Sequence, residues 1–116
     1  MLEKKVKLNS GYYMPMIGLG TWQADDEQVL EKSIRYAIKV GYRHIDTAHI
    51  YGNEKVIGRT LKKIFDEGLI KREDLFITSK MFNNFHHCPE KAIRISLDDL
   101  QLDYLDLYVN SLACDF

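Results

Sequence analysis

The chain has 116 residues, of which 46% are hydrophobic and 28% charged, and its 16 Lys and Arg against 17 Asp and Glu leave a net charge of −1. That is the composition of one ordinary globular domain, and the charge balance excludes recognition of nucleic acid or of an anionic membrane by bulk charge. No stretch approaches the ~20 apolar residues of a membrane span, and the basic start MLEKKVKLNSGYYMPM has no apolar run to make it a signal peptide, so a cytoplasmic setting is expected.

The first element is a hairpin. EKKVKL and YYMPMIGL flank Asn9-Ser10-Gly11, a cluster of turn formers. Ile17 to Leu19 then reads as a short strand ending in Gly20-Thr21-Trp22. Asp25 or Asp26 is placed to cap a helix whose Leu30, Ile34, Ala37 and Ile38 share one face, with Gly41 as its stop. The unit repeats. Arg43 to Asp46 is a strand, Thr47 to Asn53 a loop, and Glu54 to Glu67 a helix with Ile57, Leu61, Ile64 and Phe65 facing inward and Gly68 beyond its end. Leu75 to Ser79 is the next strand and Lys80 to Cys88 its loop. Pro89 suits the first turn of a third helix that turns Ile93, Leu97 and Leu100 inward, and Tyr104 to Val109 is a fourth strand. Strands alternating with helices of this length predict βαβ crossovers and a parallel sheet covered by helices. Cys88 and Cys114 are too far apart for a CxxC pair and read as reduced thiols.

In parallel α/β folds the loops beyond the strands' carboxyl ends gather on one face, and ligands bind there. Those loops carry Thr21 and Trp22, then Asp46 to Asn53, then Lys80 to His87, then Asn110 and Ser111. Asp46, Tyr51 and Lys80 bring a carboxylate, a phenol and an ammonium to that face. A free phenol gives up its proton poorly at neutral pH, and a neighbouring ammonium makes it a better acid by stabilising the phenolate. An ammonium in a partly dry pocket needs a counter-charge, and Asp46 is the available one. The same spacing also fits a structural ion pair between Asp46 and Lys80 with Tyr51 merely packing. His49 shares the Tyr51 loop and reads as a solvated histidine. Adjacent His86 and His87 make a poor chelate, and no metal site is assigned. Gly18 and Gly20 lack the third glycine of a phosphate-binding loop.

GYRHIDTAHIYGNEKVIG, from Gly41 to Gly58, resembles the N-terminal signature of the aldo-keto reductases, carbonyl reductases built on an eight-stranded (β/α) barrel. PMIGLGTW resembles the entry to that barrel's first strand, KREDLFITSK the run into the third, and LDDLQLDYLDLYV a helix and the fourth strand. Residues 1–116 then form a single partial domain: a hairpin at 1–16, four strands and three helices at 17–109, and a divergent tail at 110–116. The resemblance implies Tyr51 as proton donor to a carbonyl oxygen, Lys80 as the residue that makes it acidic, and Asp46 as the partner of Lys80. It implies NADPH as hydride source, with Asp46 and the backbone near Thr21 and Trp22 toward its nicotinamide ribose, and a small aldehyde or ketone as substrate. Trp22, Tyr51, Phe82 and Ser111 would line the substrate pocket, with Phe82 where the family often has Trp.

Two departures bear on activity. Where such enzymes have a histidine that orients the carbonyl, after a strand like YLDLYL, this chain has Asn110 and Ser111. The resemblance also stops at the fourth strand, whereas a closed barrel takes about 250 residues. Half a barrel presents two strand edges, which favours self-association or pairing with a full-length reductase. The alternative to an enzyme is therefore a non-catalytic chain that associates with a partner, as the potassium-channel β subunits use a resembling barrel.

Overall fold

The computed structural model describes residues 4–81 and 88–110. The elements in chain order are β1 (Lys5–Lys7), β2 (Tyr13–Pro15), β3 (Leu19–Gly20), α1 (Glu27–Lys39), β4 (His44–Asp46), α2 (Glu54–Asp66), β5 (Phe76–Met81), α3 (Pro89–Leu100) and β6 (Leu107–Asn110). Short 3₁₀ turns at His49–Tyr51 and Arg72–Asp74 sit between them.

β1 and β2 form the expected antiparallel hairpin, with Val6 opposite Met14. Its turn closes through Gly11, whose φ of +93° is open to glycine at no steric cost. The remaining strands form one parallel sheet in the order β3-β4-β5-β6. Strand order equals chain order, and α1 packs on α2 and α2 on α3, as expected when each crossover has the usual hand and places its helix on the same face of the sheet. This is the arrangement that curls a βα repeat into a barrel wall with helices outside.

The helices form where the sequence supports them. Asp26 is the N-cap of α1, its Oδ1 accepting from Gln28 and Val29 backbone N–H at 2.9 and 3.1 Å, which satisfies donors the first turn leaves orphaned. Between helices and sheet lies one core that includes Leu30, Ile34, Ile38, Ile45, Ile57, Leu61, Ile64, Ile77 and Leu100. α2 and α3 approach so closely that a Cβ on Gly58 would meet the Asp99 carbonyl oxygen at 2.3 Å.

Four details differ from the sequence expectation. The first sheet strand is shifted toward Leu19–Gly20, leaving Ile17 exposed. β5 runs past Ser79 to Met81, because its ladder with β6 continues through Lys80 opposite Val109 and Met81 opposite Asn110; Lys80 is thus a strand residue and not part of a loop. β6 begins at Leu107 and not at Tyr104. The segment before it is held by Asp106, whose Oδ2 accepts from Ile77 N–H and from Arg72, both at 2.8 Å, while the Arg72 guanidinium lies 4.0 Å over the Tyr104 ring. In α3 the deepest stripe is Ala92, Ser96 and Leu100, with Ile93 and Leu97 only half-buried. Ser96 is drawn inward by a buried acceptor described below.

Candidate active site

Side chains along a strand alternate between faces. Ile45 on β4 and Ile77 and Ser79 on β5 face the helices, so Asp46 and Lys80 emerge on the other face, at the carboxyl end of the sheet. Tyr51 reaches the same place from the turn after β4. That turn is braced from both sides: Thr47 N–H donates to the Thr78 carbonyl at 2.9 Å, continuing the ladder, and Tyr51 N–H closes on the Ala48 carbonyl at 3.0 Å. Gly52 then reverses the chain with φ +73° and delivers Asn53 and Glu54 to the start of α2.

The three residues singled out from sequence meet. Lys80 Nζ donates to Asp46 Oδ1 at 2.5 Å, to the Thr47 carbonyl at 3.3 Å and to Tyr51 Oη at 3.4 Å. Its ammonium also stands 5.4 Å from the Tyr51 ring centre. The carboxylate side chain is 39% exposed and the lysine 27%, so the group lies at an open rim where a ligand has access. The ammonium thus stands between the carboxylate and the phenol, within reach of both.

The other assigned residues divide. Thr21 is fully buried, its backbone N–H and its hydroxyl both donating to the Asp46 carbonyl, at 3.2 and 2.9 Å, so it fixes the strand end that carries Asp46. Trp22, the next residue, is 69% exposed beside that rim. Phe82 and Ser111, together with His86, His87 and Cys114, lie outside the described residues.

A polar cluster that sequence reasoning passed over sits on the helix side of the same strands. Glu54, only 2% exposed, accepts from Ser79 Oγ at 2.7 Å through Oε2 and from Ser96 Oγ at 2.8 Å through Oε1. Burial pushes its carboxyl above the usual range, against the downward pull of the two serine hydroxyls and of His49. His49 is half-buried rather than a fully solvated loop residue: one ring nitrogen lies within 4.8 Å of carboxylate oxygens of Glu54 and Asp99. Both Glu54 oxygens already receive hydroxyl hydrogens, which makes this cluster a hydrogen-bond hub. Tyr108, opposite Ser79 on β6, shares that face, and burial followed by the charge of Glu54 raises its phenol above the usual value. Asn53 is also buried, its Nδ2 donating to the Thr21 carbonyl at 2.8 Å and the Ala24 carbonyl at 3.3 Å. The signal for the hub was Ser96 in the middle of an apolar helix face.

Comparison with known proteins bears on the family and the fold. The pattern of the Aldo/keto reductase family matches residues 16–111. An aldose reductase of Encephalitozoon cuniculi is 62% identical over 109 residues, covering 94% of this chain and 36% of the relative. An NAD(P)H-dependent D-xylose reductase of Scheffersomyces stipitis is 53% identical over 106 residues, covering 90% of this chain and 33% of the relative. Among solved structures, an aldo-keto reductase of Bombyx mori in complex with NADP superimposes with a TM-score of 0.86 at 36% identity, over 93% of this chain and 38% of that one. The chain thus spans about a third of the length of the relatives it matches. No described helix is long and apolar enough to cross a membrane. With its signature residues converging at the carboxyl rim of a partial (β/α) barrel, the chain belongs to the aldo-keto reductase family.

Proposed function

We propose that this chain carries the acid–base half of an NADPH-dependent reduction of small aldehydes or ketones to alcohols. The observation that supports the reading is the placement of Lys80 Nζ between Asp46 Oδ1 and Tyr51 Oη. Tyr51 donates its hydroxyl proton to the substrate's carbonyl oxygen as the carbonyl carbon is reduced. Lys80 stabilises the phenolate this leaves, and Asp46 with the Thr47 carbonyl keeps the ammonium in place. Trp22, exposed beside the rim, supplies one wall of the substrate pocket. Phe82 and Ser111 are assigned to the same pocket on sequence alone, Ser111 offering a hydroxyl to the substrate oxygen.

The donor set fits the nicotinamide end of a dinucleotide: a partly exposed carboxylate at the sheet's rim is suited to accept from ribose hydroxyls, and the Thr21–Trp22 backbone lies beside it. When bound, the cofactor supplies the hydride, which no side chain can provide. A D-xylose reductase that uses NAD(P)H and a reductase solved with NADP, both similar to this chain, support the choice of cofactor. A cytoplasmic setting accompanies this reading.

A second reading is that this length of chain serves as a partner for another copy or for a longer reductase. It is favoured by β3 and β6 standing at the two edges of the described sheet, each with one side unpaired by another described strand. Incubation with NADPH deuterated at its transferable hydrogen and a reactive aromatic aldehyde separates the two. Deuterium on the carbinol carbon of the product supports the reductase. Its absence from every product, with the purified chain folded and able to associate, supports the partner.

A further inference from the structure

We propose that Glu54 is a positioning residue, with Asn53 as its companion, and that the two set the separation of Tyr51 and Lys80 from behind the sheet. This rests on the reading of Tyr51 as acid and Lys80 as the group that stabilises its phenolate. The Tyr51 turn is held upstream by the β4–β5 ladder, through Thr47 and Thr78. Downstream, beyond Gly52, α2 is anchored in the core from Ile57 onward, and the link between the turn and that anchor is held by two consecutive buried polar side chains. Asn53 ties the turn to the β3–α1 connection through the Thr21 and Ala24 carbonyls. Glu54 ties it to β5 and α3 through Ser79 and Ser96.

Ser79 is the decisive contact, because it precedes Lys80 on β5 and points to the opposite face. Glu54 thus grips the back of the strand position whose front carries the ammonium, three residues after the phenol. A single side chain connects the Tyr51 turn, the Lys80 strand and α3. An apolar residue at this buried site would fill the space without the desolvation cost of a carboxylate. What it would not provide is an acceptor that fixes two hydroxyls at 2.7 and 2.8 Å and thereby the register of turn against strand. His49, two residues before Tyr51 and close to Glu54 and Asp99, brings the upstream side of the turn to the same hub.

The test reads geometry, so it does not depend on turnover. In the purified chain, the nuclear Overhauser effect between the Tyr51 ring and the Lys80 ε-methylene reports their contact, with Tyr51→Phe and Lys80→Met assigning the signals. The methyl resonances of Leu61 and Ile77 report the core. Glu54→Ala is expected to abolish the Tyr51–Lys80 effect while the methyl resonances hold, and Glu54→Gln, which still accepts a serine hydroxyl, is expected to retain it. An undiminished effect in Glu54→Ala overturns the proposal, as does loss of core methyl dispersion in both variants, which marks a purely structural role. If Glu54→Ala alone unfolds, Ser79→Ala decides: a weakened effect with an intact core supports the proposal and an unchanged one overturns it. Failure of Tyr51-dependent turnover with this pattern intact refutes the reaction and not the positioning; turnover with a Tyr51–Lys80 contact indifferent to Glu54 refutes the positioning alone.

Discussion

Gly58→Ala separates two effects of opposite sign. Gly58 lies in the interior of α2, where alanine is favoured over glycine by about 1 kcal/mol. Yet its added Cβ would stand 2.3 Å from the Asp99 carbonyl oxygen, 2.7 Å from the Leu100 carbonyl carbon and 2.8 Å from the Leu100 Cα. All three are backbone atoms near the end of α3, so no flexible side chain can yield, and α2 and α3 must separate. Overpacking of a tight core costs about 1–3 kcal/mol, and rigid contacts this short belong at the upper end. The net effect is a destabilisation of roughly 2 kcal/mol, or about 10 °C in melting temperature for a domain of this size. Thermal unfolding followed by circular dichroism measures it. A variant as stable as the parent, or more so, would show that the two helices do not meet at Gly58 and would refute the packing described here.

Other expectations follow from the same contacts. Because burial raises the Glu54 carboxyl above its ordinary value of 4.5, the folded state holds that proton more tightly than the unfolded chain. The associated stability is present below 4.5 and is lost as pH rises through the raised value. With Asp99, His49 and Tyr108 unchanged in both proteins, the melting temperature of the parent minus that of Glu54→Gln should fall over this range; a difference that grows with pH contradicts the assignment. Asp106→Ala leaves the Ile77 N–H and Arg72 without their shared oxygen, and since these side chains are 22% and 14% exposed, denaturant unfolding should register a loss of about 2 kcal/mol. Asp26→Ala removes the cap of α1 and should cost about 1 kcal/mol in the same assay.

What the sequence made legible was mostly local. Gly11 and Gly68 mark turns because they occupy left-handed backbone, and Asp26 caps a helix because a short carboxylate reaches two N–H groups of the next turn. The trio of Asp46, Tyr51 and Lys80 was legible through the family signature; spacing alone had left an ordinary ion pair equally open, and only the geometry brings the phenol within 3.4 Å of the ammonium. The misplacements are long-range. The extent of β5 is decided by pairing with β6, which local propensity around Lys80 does not encode. Glu54 reads locally as a solvated acid favouring a helix N-terminus, and its burial depends on Ser96, 42 residues away. His49 follows it, since its environment is made by α2 and α3 together.

The central claim is that Tyr51 is the acid of a carbonyl reduction. It is tested most directly by NADPH consumption with a reactive aromatic aldehyde, comparing the parent chain with Tyr51→Phe. Turnover in the parent and its loss in a variant that still folds is the predicted result. Equal turnover in the two proteins would contradict the claim and assign the proton to another group, and no turnover in either would contradict the reductase reading of this chain.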